Sequence, residues 1–191
     1  SIFTDVLNTS KITSIPQNRE RTFIIAFDEK SDARLYPETK SYIFNQHFPP
    51  KEINNLDHIE KFLQRGRVSN EYYYGPEKYM FDELKEQMLS KDTMYQWRRH
   101  YVRENKKNVC PTLTANMGTG GHNVPLIIDD FGFRKLTPRE CLNLQGFPRN
   151  FKIPNDLSNA SLYKQAGNSV TVKLISKLAN LIKISLNEHS K

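Results

Sequence analysis

The chain has 191 residues, of which 37% are hydrophobic and 26% are charged, a composition typical of a folded globular protein. No apolar run approaches the roughly 18 residues that a membrane-spanning helix needs, and two cysteines are too few for a disulfide framework. With 28 lysines and arginines against 21 acidic residues, the net charge of +7 suits a polyanionic partner without establishing one. We expect a cytoplasmic protein without a metal site.

The first half of the chain predicts one strand and one helix. Residues 22–27 form a continuous apolar run between charged residues, which is typical of a buried strand. Three prolines break residues 31–50 into irregular structure. Pro76 marks the start of a predicted helix that runs to Leu89. The apolar side of this helix carries Tyr79, Leu84 and Met88.

The second half predicts short strands followed by helices. Between residues 94 and 136, apolar stretches alternate with Gly, Asn and Pro, as strands and turns do. The predicted strands are residues 95–102, 109–115 and 124–128. Thr137 begins a helix as its capping residue, because Pro138 takes the first helical position and Glu140 can close a capping box. Ser169 is predicted to cap the last helix, whose apolar stripe comprises Val170, Leu174, Leu178 and Ile182.

Four segments, taken in order, resemble characteristic motifs of the DNA (cytosine-5)-methyltransferases. Residues 16–21 (Pro-Gln-Asn-Arg-Glu-Arg) are similar to the Gln-x-Arg-x-Arg motif of that family. Residues 110–115 (Cys-Pro-Thr-Leu-Thr-Ala), with the glycine-rich residues 118–121, resemble the Thr-Leu segment of its target-recognition region. Residues 139–148 resemble the ninth motif, and residues 163–170 resemble the tenth. The order of the four segments gives a resemblance to the C-terminal portion of the family that spans nearly the whole chain.

The resemblance implies an α/β fold with two parts. Residues 1–30 would supply a strand region, and residues 163–191 a final helix, to an incomplete AdoMet-dependent methyltransferase domain, while residues 31–162 would form a small, strand-rich target-recognition domain. The family's nucleophilic cysteine lies in a Pro-Cys dipeptide, which this sequence lacks. We therefore expect the chain to begin just after the catalytic motifs. A complementary catalytic polypeptide, or a missing N-terminal region, is expected to receive the final helix.

Two arginines are the candidate catalytic residues. By resemblance, Arg21 contacts the flipped cytosine or its phosphate, a task that suits a planar guanidinium with five donors. Alternation along the strand places Arg19 on the same face, where it would act with Arg21 or only brace the strand. Solvated charges beside an edge strand are the alternative for both. Cys110 and Cys141 lie in apolar segments, so we expect both thiols to be buried and unreactive.

The basic segment before the Thr-Leu pair is the predicted contact with double-stranded DNA. Arginine bonds bidentately to guanine, and lysine suits phosphate. A solvated charged face is the alternative for this segment, and a flexible hairpin is the alternative for the glycine loop. The predicted DNA-binding residues are Arg98, Arg99, Arg103, Lys106, Lys107, Thr112, Leu113, Asn116, Gly118, Gly120, Gly121 and His122.

The resemblance also implies S-adenosyl-L-methionine as cofactor, with its methionine carboxylate held by Asn168, Ser169 and Val170 at a helix N-terminus. A purely capping role for Asn168 and Ser169 is compatible with that site. The implied protein is a restriction-type methyltransferase of the bacterial cytoplasm, present as one subunit of a split enzyme or as part of a longer one. One alternative is a DNA-binding module without catalysis, which the presence of Arg21, Asn168 and Ser169 argues against. Another is a transfer-RNA methyltransferase, which fits poorly because the recognition segment is long.

Overall fold

A computed structural model describes residues 1–28, 44–98, 100–105, 108–119 and 123–187. Within these ranges the fold is mixed α/β with antiparallel sheets, which confirms the predicted class. The strands are β1 (Ile2–Asn8), β2 (Glu20–Ala26), β3 (Met94–Arg98), β4 (Tyr101–Asn105), β5 (Leu126–Asp129) and β6 (Gly132–Lys135). The α-helices are α1 (Thr9–Ile12), α2 (Phe81–Gln87), α3 (Pro138–Leu144), α4 (Asn159–Asn168) and α5 (Val172–Asn187), and residues 44–47 are also helical. Short 3₁₀ helices cover Ile59–Phe62, Asn70–Tyr72 and Ala115–Gly118.

Strands β1 and β2 form a two-stranded antiparallel sheet of seven residue pairs, with Ile2 opposite Ala26 at one end. The strand predicted over residues 22–27 is therefore present, but the prediction that it is buried is wrong. Ile24, on the outer face of this sheet, is 69% exposed. Among the described residues β2 pairs with β1 alone, and Ile2 and Val6 on the same outer face are also exposed.

Helix α5 packs against the first elements of the chain. Leu174 and Leu178 are buried against Leu7 and Ile12, which form a small apolar cluster at the end of the first sheet. The expectation that this stripe would dock on a separate domain is therefore wrong for its two central residues. None of the helices in the described ranges is long and apolar enough to cross a membrane.

The start of α5 also differs from the prediction. The backbone N–H of Ser169 donates to the carbonyl of Gln165 (3.0 Å), so Ser169 is the C-cap of α4 rather than the N-cap of α5. Residues 169–171 form the turn between the two helices, and α5 begins at Val172. Val170 consequently lies outside the helix and is 46% exposed. The fourfold spacing predicted the helix correctly but began it two residues too early.

The second sheet has the strand order β4-β3-β5-β6. Residues 95–102, predicted as one strand, are instead a tight hairpin in which Arg98 pairs with Tyr101. Residues 109–114, also predicted as a strand, are coil with a single parallel bridge between Gln17 and Cys110, and Ala115 already begins a 3₁₀ helix. The strand predicted over residues 124–128 is present as β5.

Helix α2 covers one face of this sheet. It begins at Phe81, five residues after Pro76, because residues 76–80 form turns. Leu84 and Met88 are buried as predicted, against an apolar cluster that includes Tyr95 and Trp97. Tyr79 precedes the helix and is 73% exposed, so its predicted place on the apolar side is wrong.

Helix α3 begins as predicted, with a capping box between Thr137 and Glu140. The Glu140 carboxylate is fully buried and also accepts two hydrogen bonds from the buried Arg134 guanidinium, at 2.8 and 2.9 Å. The main apolar core surrounds this helix and includes Tyr163 and Ala166 of α4. The predicted domain boundary between residues 162 and 163 falls inside α4, and the division into domains stays a prediction.

The packing of α5 within the chain is testable with one matched pair of variants. Leu178→Ala removes a side chain that is 4% exposed, and we expect it to lower the free energy of unfolding by about 2–5 kcal/mol. Ile184→Ala, at a position 44% exposed on the same helix, is the control and should cost less than about 1 kcal/mol. Urea unfolding of the chain followed by circular dichroism measures both. Equal losses would contradict the docking of Leu178 inside this chain.

Candidate nucleic-acid interface

The segments singled out in the sequence are joined by backbone and amide hydrogen bonds. The N–H of Cys110 donates to the carbonyl of Pro16 (2.7 Å), which places residues 16–19 beside the Thr-Leu segment. Gln17 is fully buried, and its side-chain Nε2 donates to the carbonyl of Leu144 at the end of α3 (2.9 Å). Segments separated by more than a hundred positions therefore meet in one place.

Arg19 is the central link of this arrangement. Its guanidinium donates to the carbonyls of Leu113 (2.7 Å), Gly167 (2.9 Å) and Ser169 (2.6 Å), and the residue is only 2% exposed. Burial, followed by the nearby charge of Arg21, lowers the pKa of Arg19 to about 10, which leaves it charged at neutral pH. These contacts favour the bracing role over a direct role with substrate.

Arg21 lies two positions later, but its environment is opposite. It is exposed on β2, and its Nη1 donates to the carbonyl of Glu20 (2.6 Å). Arg19 precedes β2, so the alternation expected to put both arginines on one face does not extend to it, and that prediction is wrong. Of the two candidates, Arg21 is therefore the one whose side chain is accessible to a ligand.

Gln145, which the sequence reasoning missed, ties the end of α3 to α4 and to the start of α5. Its buried side-chain Nε2 donates to the carbonyl of Ala166 (2.9 Å), and its main-chain carbonyl accepts from the N–H of Val172 (2.9 Å). Gly146 follows with φ of +81°, a conformation that favours glycine. A glycine directly after a helix commonly marks its end. The sequence could therefore have predicted the turn at Gly146, but not the hydrogen-bond partners of the Gln145 side chain.

The candidate cofactor residues lie on this turn rather than at a helix N-terminus. Asn168 is the last residue of α4, and Ser169 is its C-cap, which corrects the predicted placement. Together with Val170, Phe147 and Ile175 they border an open pocket of about 380 Å³. Asn168 and Val170 are exposed, so the pocket offers one amide beside an apolar wall.

Several candidate DNA-binding residues border one cleft of about 740 Å³ between the β3–β4 hairpin and the Thr-Leu segment. Arg98, Arg103, Thr112 and Asn116 are the predicted residues that the structure brings together there. The sequence reasoning missed further polar residues on the same cleft. These are Ser10, Asn18, Gln96, Glu104, Asn105, Thr114 and Asn123.

Two other candidates have structural roles instead. Leu113 is fully buried in the main core, which contradicts its predicted contact with DNA. Gly118 packs so closely on α4 that an added Cβ would lie 2.5 Å from the carbonyl oxygen of Ala160, so the glycine serves helix packing. Six predicted DNA-binding residues lie outside the described residues: Arg99, Lys106, Lys107, Gly120, Gly121 and His122.

Both cysteines are buried, as predicted. Cys110 and Cys141 have no exposed surface, and burial raises the pKa of each thiol above its ordinary value. Because the thiolate is the nucleophilic form, neither residue has the environment of a reactive cysteine.

Residues 1–184 match the sequence model of the family described as C-5 cytosine-specific DNA methylase. The chain belongs to this family. The resemblance stated above is thereby confirmed, because the match covers the four segments on which it was based.

Named relatives of this methylase chain include type II methyltransferases. M.Bsp6I of Bacillus sp. (strain RFL6) is 48% identical over 93% of this chain and 53% of its own length. M.HaeII of Haemophilus aegyptius is 31% identical over 98% of this chain and 52% of its own length. The chain thus spans about half the length of these relatives.

The fold of this methylase chain is also similar to solved structures. The Dnmt2 methyltransferase of S. pombe superposes with a TM-score of 0.63 at 16% identity, over 98% of this chain and 59% of the other. An Entamoeba histolytica methyltransferase, EhMeth, gives a TM-score of 0.61 at 16% identity, over 97% and 54%. At this level of identity the similarity concerns the fold alone.

The contrast between Arg19 and Arg21 generates a prediction about stability. Arg19→Lys keeps the charge but loses the fork that spans three carbonyls, and we expect it to lower the free energy of unfolding by more than about 2 kcal/mol. Arg21→Lys, at an exposed position, should change it by less than about 0.5 kcal/mol. Urea unfolding compares the two methylase variants directly. A loss at position 21 as large as that at position 19 would contradict the bracing role.

Proposed function

We propose that this chain is the DNA-recognition part of a DNA (cytosine-5)-methyltransferase of the restriction-modification type. In this proposal it binds a specific duplex sequence and helps to hold the flipped cytosine and S-adenosyl-L-methionine. The observation that carries the proposal is the polar cleft, which gathers Arg98, Arg103, Thr112 and Asn116 in a chain of the cytosine-specific DNA methylase family. Arginine and small polar side chains are the groups that bind phosphates and base edges.

The proposed DNA surface also includes residues that do not border the cleft. Arg98 and Arg103 are exposed on the hairpin, and a net charge of +7 attracts a polyanion. Arg99, Lys106, Lys107, Gly120, Gly121 and His122 belong to the proposal on sequence grounds. Leu113 is left out because it is buried, and Gly118 because packing accounts for it.

The proposed reaction is the methylation of cytosine at carbon 5, which needs a nucleophilic cysteine that this chain does not supply. A cysteine thiolate adds to carbon 6 of a cytosine extruded from the duplex, carbon 5 takes the methyl group, and loss of the carbon-5 proton to a base expels the thiolate and restores the ring. When bound, S-adenosyl-L-methionine supplies the methyl group. Cys110 and Cys141 are buried and neither follows a proline, so the thiolate comes from a complementary polypeptide or from an N-terminal region of the same protein. Arg21, exposed on β2, is proposed to contact the extruded base.

Asn168, Ser169 and Val170 fit one end of the cofactor. The exposed amide of Asn168 suits a charged amino-acid group, and the apolar wall with Val170 and Ile175 suits the hydrocarbon beside it. The rest of the cofactor would be held by the complementary region.

The exposed apolar side chains on one face of the β1–β2 pair support that complementary region as a partner. Ile2, Val6 and Ile24 lie on one face of the β1–β2 pair and are 74%, 57% and 69% exposed. Burying three such side chains in an interface would contribute roughly 5–9 kcal/mol to the binding free energy, before the entropic cost of association. The occupant we propose is the catalytic region carrying the Pro-Cys nucleophile, since the chain spans about half the length of its relatives.

Complementation tests the proposal. The purified chain should transfer no methyl group from labelled S-adenosyl-L-methionine to duplex DNA. Adding the part of M.Bsp6I that this chain does not match should produce transfer, because the relative is 48% identical over the matched part. Ile24→Glu should prevent co-purification of the two pieces, whereas Lys183→Glu, an exposed position on α5, should not. Methyl transfer by the chain alone would refute the division of labour. A chain that binds duplex DNA but never complements would favour a recognition module without catalysis.

Arg21 gives a separate prediction in the complemented enzyme. Arg21→Ala should lower turnover by about 100-fold and duplex affinity by less than about threefold, because its contact forms only after the base leaves the stack. Single-turnover methylation and a filter-binding titration measure the two quantities. Parallel losses in both would indicate a phosphate contact.

A further inference from the structure

The two faces of the β3–β4 hairpin differ sharply. Residues directly opposite in an antiparallel pair share a face, and here Gln96 lies opposite Arg103 while Arg98 lies opposite Tyr101. Gln96, Arg98 and Arg103 border the cleft. The other face carries Trp97 and Val102, which are buried in the apolar cluster under α2. The hairpin is therefore fixed by one face and presents a row of polar side chains on the other.

Two side chains of the polar row, Gln96 and Arg98, are hydrogen-bonded to each other. An Nη2 atom of Arg98 donates to Oε1 of Gln96 at 3.2 Å, which turns the amide Nε2 of Gln96 away from Arg98. Asn116 and Asn123 add neutral amides to the border of the cleft. Glu104 also borders it, but its position opposite Tyr95 places it on the Trp97 face of the hairpin. Amides and a guanidinium fork match the hydrogen-bonding edges of bases. The side chains on the polar face of the hairpin and on the facing loop thus fit base edges.

We propose that this hairpin enters the major groove as a two-stranded ribbon in which Gln96 and Arg103 determine sequence specificity. The inference rests on the proposed function and adds Gln96, which the sequence reasoning did not single out. The major groove, about 12 Å wide, admits a two-stranded ribbon, and strands lie about 4.8 Å apart. Cross-strand Cβ atoms are about 5 Å apart, so the two side chains reach neighbouring base pairs. Arg103 bonds guanine through O6 and N7, and Gln96 donates to a base acceptor while Arg98 holds its carbonyl.

The test uses the full chain and a library of short duplexes with randomised positions. Bound duplexes are sequenced for the wild-type chain, Gln96→Ala and Arg103→Lys. Each variant should relax the preference at one base pair by about 10- to 100-fold. Arg103→Lys keeps the charge but loses the fork, so total binding and its salt dependence should stay within about twofold. Matched controls are Gln46→Ala and Arg65→Lys, at exposed positions away from the cleft, and they should enrich the wild-type sequences.

The outcomes separate this inference from the proposed function. If wild type enriches a sequence and both cleft variants enrich the same one, Gln96 and Arg103 are not readers, and the proposed function stands. If Arg103→Ala reduces the salt dependence by one phosphate and preserves the preference, Arg103 is a phosphate contact, and the inference fails. If the wild-type chain binds no duplex, DNA recognition itself is refuted. Thermal unfolding checks that each variant keeps the wild-type midpoint, as side chains on the polar face should allow.

Discussion

The buried guanidinium of Arg19 is the interaction on which the arrangement of this chain depends. One side chain donates to carbonyls of the Thr-Leu segment, of the last turn of α4 and of its C-cap, at 2.6 to 2.9 Å. A charge removed from water is costly unless it is hydrogen-bonded, so these contacts are required as much as they are favourable. The candidate DNA surface and the candidate cofactor turn are thereby held to the strand that carries Arg21.

Polar groups also fix the register between the apolar clusters. Gln17 and Gln145 donate hydrogen bonds to backbone carbonyls near the ends of α3 and α4. Glu140 accepts hydrogen bonds from the Arg134 guanidinium and completes the capping box with Thr137. Apolar burial supplies most of the driving force but has no direction, so it does not select one alignment of segments. Hydrogen bonds have geometry, and a buried amide leaves few alternatives. The segments of sequence that resemble family motifs are, in this structure, largely the parts that make these directed contacts.

The errors of prediction share a cause. Residues 22–27 and 109–115 were both predicted from apolar runs, yet the first forms a strand with an exposed face and the second is mostly coil with one bridge. An apolar run indicates that a segment favours burial, but its tertiary contacts decide whether it forms a strand and which of its faces is buried. Ser169 has the chemistry of a helix cap and was assigned to the wrong helix, because contacts from Gln145 and Arg19, both distant in sequence, help to fix the turn between α4 and α5.

The sequence by itself determined the family, the α/β class, the start of α3 and the burial of both cysteines. Each of these depends on local chemistry, on composition or on the order of short segments, which a single chain displays directly. Tertiary structure alone decided which arginine is buried and which is exposed, and which polar residues share the cleft. Arg19 bonds across 94 and 148 positions of sequence, and the partners of such a contact follow from the folded path of the chain rather than from its neighbours.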